Sequence, residues 1–319
     1  MALSVGSCKK KTDADTPSEP DEPVRAAVAA VEHDENENDD TTIANLEWMA
    51  DFEAAKKKAV AESKDLFLNF TGSDWCPWCE RLDKEVFSQK AFVEYSQENF
   101  VLIELDFPND KSKLSSEIQQ QNEKLRTEYG VQGFPTIVLT DKDGIPYGQS
   151  GYVEGGADNY VEHLKQFQSV KKQIDELIVK SKDDETESTE RAAFLDLALQ
   201  MLPPWVVDKY YVDKMNRIVE LDADNKAGLK NKYLIRSSFI AVQQALQRQN
   251  YDTALQKVDA IIDKFEPSGQ LAQELYYAKA HAQHFLKDLE GEKQSLQKAL
   301  ESAPEGFLAE QIKANLQQF

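Results

Sequence analysis

Two cysteines, Cys76 and Cys79, are separated by a proline and a tryptophan, and they are the residues of this chain best suited to chemistry. An apolar run at 66–70 precedes them and predicts a buried strand, and Pro77 suits the first turn of a helix. Cysteines at a helix start face unpaired N–H groups and the positive end of the helix dipole, which favour a thiolate. We expect Cys76, nearer the solvent, to attack a disulfide and Cys79 to resolve the mixed disulfide.

Zinc binding is the competing interpretation of a Cys-x-x-Cys pair. A structural zinc site needs four ligands, but the third cysteine, Cys8, lies far away in a polar segment, and no histidine is close to the pair in sequence. The neighbouring Asp74 and Glu80 indicate exposure, which disfavours an inert buried pair. His281 and His284 share a helix face without an acidic or thiol partner, so a packed or solvated face is predicted there. The pair therefore predicts redox chemistry without a metal or cofactor, with copper handling by the thiols as the weaker alternative.

The sequence around the pair resembles the thioredoxin-like family, in which a strand is followed by a Trp-Cys-x-x-Cys motif such as the one at 75–79. A second hallmark of the family is the segment Tyr-Gly-Val-Gln-Gly-Phe-Pro-Thr at 129–136. The resemblance implies that Pro135 follows a cis peptide bond, lies against the cysteines and lines a substrate groove together with Phe134. The physics agrees, because the cis form costs little only before proline. The resemblance covers residues 42–180 and is closest to extracytoplasmic members of the family.

The resemblance also implies an activity, that of a thiol–disulfide oxidoreductase. Such a protein acts on protein disulfides and exchanges electrons with a redox partner, in a direction that the sequence does not fix. Trp75 is expected to pack beside the cysteines and shield the disulfide. For Trp78 two interpretations stay open, packing or contact with a protein substrate, since exposed tryptophans are enriched at contact sites.

One position departs from the family pattern. Members of the family carry a buried acid on the strand before the motif, which accepts a proton during thiol exchange, and the nearest position here is Asn69. An amide cannot accept that proton. We therefore expect water or another acid, such as Glu80 or Glu85, to accept it.

The acidic composition excludes nucleic acid as a partner. The 319 residues carry a formal net charge of −20, whereas phosphate binding needs clustered Lys and Arg. Residues 12–41 hold eleven acids and a single base, Arg25. A segment of this kind cannot bury enough apolar surface to fold, so residues 1–41 are predicted to form a disordered acidic tether.

The residues before Cys8 are small and resemble the end of a bacterial lipoprotein signal, in which the cysteine receives a lipid. Only seven residues precede Cys8, too few for the charged and apolar segments of a full signal. The lipid-anchored interpretation predicts a cell-envelope or periplasmic protein that meets the membrane only through Cys8. If Cys8 is an ordinary tail cysteine, a cytoplasmic location is favoured instead.

The resemblance implies an α/β thioredoxin fold between residues 42 and 180, a central mixed sheet flanked by helices, and the hydrophobic pattern places its elements. A helix capped by Thr41 or Thr42 would bury the apolar positions from Ile43 to Ala59. The other predicted elements are a cysteine helix to Phe87, a short helical turn at 91–95, strands at 100–107, 136–140 and 145–152, a helix within 110–129, and a helix carrying Val161 to Leu177.

The charged segment 180–189 predicts a domain boundary, and residues 181–319 show only helical patterns. Pro267 and Pro304 lie 37 residues apart, close to the ~34-residue period of tetratricopeptide repeats. The sequence therefore predicts an all-α, tetratricopeptide-like domain after the thioredoxin-like one. We expect it to contact another protein or to pack on the redox domain, not to perform chemistry.

A non-enzymatic scaffold is the alternative function. In that interpretation the thioredoxin fold and the helical repeats bind a partner without exchanging disulfides. The intact Cys76, Cys79 and Pro135 disfavour it, because a scaffold needs none of the three, whereas Asn69 favours it.

Overall fold

The computed structural model describes residues 46–319 and contains a mixed sheet of five strands in its first part. The strands are β1 (Trp48–Met49), β2 (Asp65–Thr71), β3 (Phe100–Asp106), β4 (Thr136–Thr140) and β5 (Pro146–Ser150). Their order is β1-β3-β2-β4-β5. The first three strands are parallel, whereas β4 runs antiparallel to β2 and β5 antiparallel to β4. The predicted central mixed sheet is confirmed.

β2 is the central strand, and its sequence is apolar on both sides. Leu66, Phe67, Leu68 and Phe70 are fully buried, as expected for a strand with neighbours on both edges and helices on both faces. Because successive side chains point to opposite faces, Phe67 joins one apolar cluster while Leu66 and Leu68 join another. β2 ends at Thr71, so the core fixes where the cysteine loop begins.

Five helices accompany the sheet. They are α1 (Phe52–Glu62), α2 (Pro77–Leu82), α3 (Lys90–Asn99), α4 (Ser116–Glu128) and α5 (Gly156–Lys180). α2 continues into a π-helical turn, Asp83–Phe87. The cysteine helix therefore ends at Phe87, as predicted.

The prediction of a helix from Thr41 or Thr42 is wrong where the structure describes it; the tether 1–41, Cys8 and both threonines lie outside the described residues. Trp48–Met49 instead form β1, which pairs with β3. α1 begins only at Phe52, because the Asp51 carboxylate accepts a hydrogen bond from the Ala54 N–H at 2.8 Å and caps the helix.

Two further elements, α3 and β5, differ from the prediction in their limits. α3 is a helix of 10 residues instead of a turn at 91–95, because Phe92 and Val93 are buried against the core. α4 lies within the predicted range 110–129 and begins at Ser116, where the Ser115 hydroxyl accepts the Ile118 N–H at 3.3 Å. β5 ends at Ser150 and not at Tyr152.

The rest of the described chain is helical, as predicted. The helices are α6 (Ser188–Gln200), α7 (Pro204–Tyr210), α8 (Val212–Leu221), α9 (Leu229–Gln247), α10 (Tyr251–Phe265), α11 (Gly269–Phe285), α12 (Leu289–Ser302) and α13 (Ala309–Leu316). The tetratricopeptide-like character of this region stays a prediction. None of the helices within 46–319 combines the length and apolarity that a membrane span requires.

One apolar cluster runs from the sheet into the helical region. It contains Phe67 of β2, Leu164 of α5, Leu195 of α6, Ile218 of α8 and Tyr233 of α9. The polar segment between α5 and α6 therefore separates these two helices in sequence, but apolar side chains of both helices belong to one core. The division into domains 42–180 and 181–319 stays a prediction.

Replacement of Leu195 by alanine should destabilise the protein by about 2–5 kcal/mol, the usual range for a buried leucine. Leu195 is 1% exposed, whereas Leu197 on the same helix is 51% exposed, so Leu197→Ala is a matched control that should change stability by about 0.5 kcal/mol or less. Chemical denaturation followed by circular dichroism measures both. Equal effects of the two substitutions would contradict the shared core.

Candidate active site at the start of the cysteine helix

Cys76 and Cys79 form a disulfide, with their Cα atoms 5.2 Å apart. Cys76 is 7% exposed and Cys79 is 6% exposed. The two cysteines are thus almost equally buried. The sequence predicted that Cys76 lies nearer the solvent, but exposure does not distinguish the two residues. Their hydrogen bonds do.

Cys76 caps α2. Its backbone is extended, with φ −98° and ψ 101°, Pro77 occupies the first helical position, and the Cys76 sulfur accepts the Cys79 N–H at 3.2 Å. A Cys76 thiolate would still accept the hydrogen bond from the Cys79 N–H, and it would lie at the positive end of the helix dipole. The arrangement therefore favours a thiolate on Cys76 over one on Cys79.

The loop before Cys76 is held tightly around Gly72. Its carbonyl accepts the N–H groups of Trp75 at 3.2 Å and Cys76 at 3.0 Å. A Cβ atom at Gly72 would lie 2.5 Å from the Trp75 ring, so only glycine leaves room for the indole. The Trp75 Nε1–H donates to the Phe107 carbonyl at 2.8 Å, and 45% of Trp75 stays exposed.

Asp74 ties the same loop to the segment that follows β3. Its carboxylate accepts the Asn109 N–H at 2.8 Å and the Lys113 ammonium at 2.9 Å. These hydrogen bonds, the one from Asn109 first, lower the pKa of Asp74 from 3.8 to about 2. The Ser73 N–H and hydroxyl add hydrogen bonds to Asp106 at 2.9 and 2.6 Å.

The bond between Phe134 and Pro135 is cis, as the resemblance implied. The residue after β5 approaches this bond closely, since a Cβ atom at Gly151 would lie 3.1 Å from the Pro135 carbonyl oxygen. The Phe134 ring packs edge-on against Trp75 with centroids 5.7 Å apart and lies 5.0 Å from the Phe107 ring. The structure thus brings together Trp75 and Phe134, two of the predicted site residues.

A second aromatic cluster surrounds Trp78, which is 54% exposed. Its ring lies 5.4 Å from that of Tyr152, and the Arg81 guanidinium lies 4.9 Å from the Tyr152 ring. Glu85 links two members of the cluster. It forms an ion pair with Arg81 at 2.6 Å and accepts a hydrogen bond from the Tyr152 hydroxyl. Tyr152, Arg81 and Phe107 could not be assigned to the site from the sequence, because tertiary contacts set their partners.

The acids suggested for proton transfer differ in their surroundings. Hydrogen bonds from Tyr152 and then Arg81 lower the pKa of Glu85, which makes it a poor proton acceptor. Glu80 is exposed. Asn69 is buried, and its side-chain oxygen has no hydrogen-bond partner among the residues that the structure describes.

The histidines of the helical region have partners that the sequence analysis missed. His284 Nδ1 lies 3.0 Å from the Glu292 carboxylate on α12, and His281 packs against the Phe285 ring at 5.1 Å. In the described part of the chain, no group of three or more His, Cys, Asp or Glu side chains is arranged to hold a metal ion.

Comparison with known proteins agrees with this geometry. A model of the thioredoxin-like domain matches residues 52–168. The disulfide bond reductase DsbH of Chlamydia pneumoniae is 34% identical over 122 residues, which are 38% of this chain and 72% of that protein. This chain belongs to the thioredoxin-like family. With its disulfide-bonded cysteine pair, it is a thiol–disulfide oxidoreductase of that family.

Two other similarities have lower sequence identity. The thioredoxin-related protein DsbJ of Chlamydia pneumoniae is 26% identical over 113 residues, which are 35% of this chain and 31% of DsbJ. A solved structure of the DsbH oxidoreductase is 28% identical and has a TM-score of 0.39, and the match covers 43% of this chain and 94% of that one. The residues that match the thioredoxin-like domain, 52–168, make up less than half of the present chain.

Replacement of Gly72 by alanine should displace the Trp75 ring, because the added Cβ overlaps it. Overpacking of this kind costs about 1–3 kcal/mol. The nuclear magnetic resonance signal of the Trp75 indole N–H should shift as its bond to Phe107 is lost. Gly133→Ala is the matched control, since its Cβ would meet no atom within 4 Å; an unshifted indole signal in Gly72→Ala would contradict the close approach.

The contribution of Asp74 to stability should depend on pH. A carboxyl group whose pKa is lowered on folding stabilises the protein above its unfolded pKa, and this effect is lost as the pH falls through the folded value. The stability difference between wild type and Asp74→Asn should therefore vanish as the pH falls from 3.8 to about 2. Thermal melts across this range measure the difference, with Asp263→Asn, an exposed acid, as control. A difference that stays constant to pH 2 would contradict the assignment.

Proposed function

We propose that this chain reduces protein disulfides through Cys76 and Cys79, with a separate redox partner returning the pair to its reduced state. The observation that carries the proposal is the placement of the Cys76 sulfur at the cap of α2, where the Cys79 N–H donates to it. The direction is supported by the similarity to DsbH, which is named a disulfide bond reductase.

The proposed reaction has two exchange steps. The Cys76 thiolate attacks one sulfur of a substrate disulfide, and a mixed disulfide forms while the first substrate thiolate leaves. The Cys79 thiolate then attacks the Cys76 sulfur. This step forms the bond seen between the two cysteines and releases the second substrate thiolate.

The substrate chain would lie between the two aromatic clusters. Pro135 and Phe134 would line one side of the groove, with Trp75 supporting Phe134 from the loop before Cys76. On the other side, Trp78 offers an exposed ring held by Tyr152 and Arg81. A large aromatic surface that is both exposed and held in place suits protein recognition.

We further propose that the protein works in the cell envelope. A protein that acts on disulfides needs substrates in an oxidising compartment, where disulfides persist. Lipid attachment at Cys8 would hold it there, and the helical region 181–319 would offer a surface for a protein partner. The helical region would then bring a partner close to the redox pair.

The cysteine roles can be tested by the reduction of insulin disulfides with dithiothreitol as the electron donor. Cys76→Ser should reduce the rate to that of dithiothreitol alone, because no thiolate remains to attack. Cys79→Ser should instead accumulate a mixed disulfide, which mass spectrometry detects. Cys8→Ser is the control that should retain the wild-type rate, since it removes a thiol outside the pair.

The reduction potential of the Cys76–Cys79 pair in the wild-type protein indicates the direction of the reaction. Equilibration of the pair against glutathione should yield a reduction potential near the ~−270 mV of thioredoxin, and a value near ~−120 mV would mark a disulfide donor. If Cys76→Ser retains the wild-type rate, the enzymatic proposal fails and the non-enzymatic scaffold is favoured.

A further inference from the structure

The buried side-chain oxygen of Asn69 is the starting point for a further role near the pair. It is the one buried side-chain polar atom of the described residues that lacks a hydrogen-bond partner, a costly state for a protein group. In the register of the sheet, Asn69 on β2 pairs with Glu104 on β3. An orphaned acceptor therefore lies beside an acid on the neighbouring strand.

The two residues share the sheet face that α2 covers. Side chains two residues apart on a strand point to the same side, so Asn69 follows Phe67 and Glu104 follows Leu102. Phe67 and Leu102 belong to the same apolar cluster as Leu82 of α2. Glu104 therefore lies on the side of the sheet where the cysteine helix packs.

Glu104 is half-buried, and its carboxyl group has no hydrogen bond or ion pair to any residue from 46 to 319. Burial raises its pKa, and the carboxylates of Asp106 on β3 and Asp83 on the π-helical turn raise it further. The carboxyl group thus accepts a proton more readily than an exposed glutamate does. No cation is among the groups that shift its titration.

The buried side of the cysteine helix locates Cys79 relative to Glu104. Leu82 follows Cys79 by three residues, and residues so spaced lie on the same side of a helix. Leu82 is buried in the apolar cluster that contains Phe67 and Leu102, so Cys79 lies on the side of α2 that faces the sheet side carrying Glu104. Cys79 is buried and must lose its proton before it can attack.

We propose that Glu104 exchanges a proton with the Cys79 thiol during the second exchange step, an inference that rests on the proposed function. The Glu104 carboxylate takes the proton from the Cys79 sulfur, and the Cys79 thiolate attacks the Cys76 sulfur of the mixed disulfide. The Cys76–Cys79 bond forms and the bond from Cys76 to the substrate sulfur breaks. The departing substrate thiolate takes the proton from Glu104, so two electrons pass to the substrate and the carboxylate is restored.

The experiment measures the second exchange step alone, in which the Cys76–Cys79 bond forms; we call this step closing. Oxidised glutathione is the disulfide probe, and the reaction is quenched with acid at intervals. Glu104→Gln keeps the shape of the side chain and removes the proton exchange. It should slow closing about 100-fold near neutral pH, within the range for a positioned acid–base group, and make the rate rise with pH up to the thiol pKa. Glu98→Gln on α3, an exposed residue, is the matched control and should close at the wild-type rate.

Two further measurements keep the test decisive. The double variant Asn69→Asp/Glu104→Gln places a carboxyl group on β2, the strand next to β3, and should recover most of the wild-type closing rate. In the wild type, which needs no folding control, closing should slow on acidification as Glu104 takes up a proton. Closing at the wild-type rate in Glu104→Gln, or a wild-type rate governed by thiol ionisation alone, would overturn the inference.

The first exchange step separates this inference from the proposed function. In a Cys79→Ser background, the attack of Cys76 on glutathione should be unaffected by Glu104→Gln. If Cys76 does not attack glutathione in Cys79→Ser, either with or without Glu104→Gln, the proposed function fails. If the attack is present and only the closing profile is unchanged, the role of Glu104 alone fails.

Discussion

β2 lies between β3 and β4, and its side chains fill apolar clusters on both faces of the sheet. A strand buried in this way cannot slip, because a shift of one residue would move its whole set of side chains to the opposite faces. The end of β2 at Thr71 is therefore fixed, and so is the start of the loop that leads to Cys76. The position of the reactive sulfur thus depends on apolar packing well away from it.

The loop and the helix start are held from several directions. Gly72 accepts two N–H groups from the loop itself, while Asp74 and Trp75 reach across to the segment after β3. On the opposite side, Arg81 and Glu85 hold the Tyr152 ring against α2. Each contact is modest alone, but together they hold the cap of α2 in one geometry, which a thiolate site needs.

Local sequence signals predicted much of this arrangement, and their limits have physical causes. The strand before Cys76 and the helix start at Pro77 follow from short patterns, whereas the cis bond before Pro135 was implied by the resemblance to the family. β1 did not, because two residues carry no periodicity and this strand is held by pairing with β3.

The contacts across the fold were also beyond local patterns. The partner of Trp75 is the Phe107 carbonyl, and that of His284 is Glu292 on another helix. Asn69 was visible as a departure from the family, but its neighbour Glu104 became visible only through the strand register. Such pairs are defined by the packing of whole elements, which a window of sequence does not contain.

The long helix α5 has a consequence for how the two parts of the chain act together. Its 25 residues span about 37 Å, and four of its buried side chains, Ala157, Tyr160, Leu164 and Ile174, belong to the core shared by the sheet and α6. A flexible linker gives two binding sites an effective concentration that varies smoothly with length, whereas a stiff spacer permits joint binding only where the spans match. The helix therefore fixes a spacing. If a protein binds to the distal helices, as proposed above, only those of its disulfides that lie at one distance from the bound surface would reach Cys76.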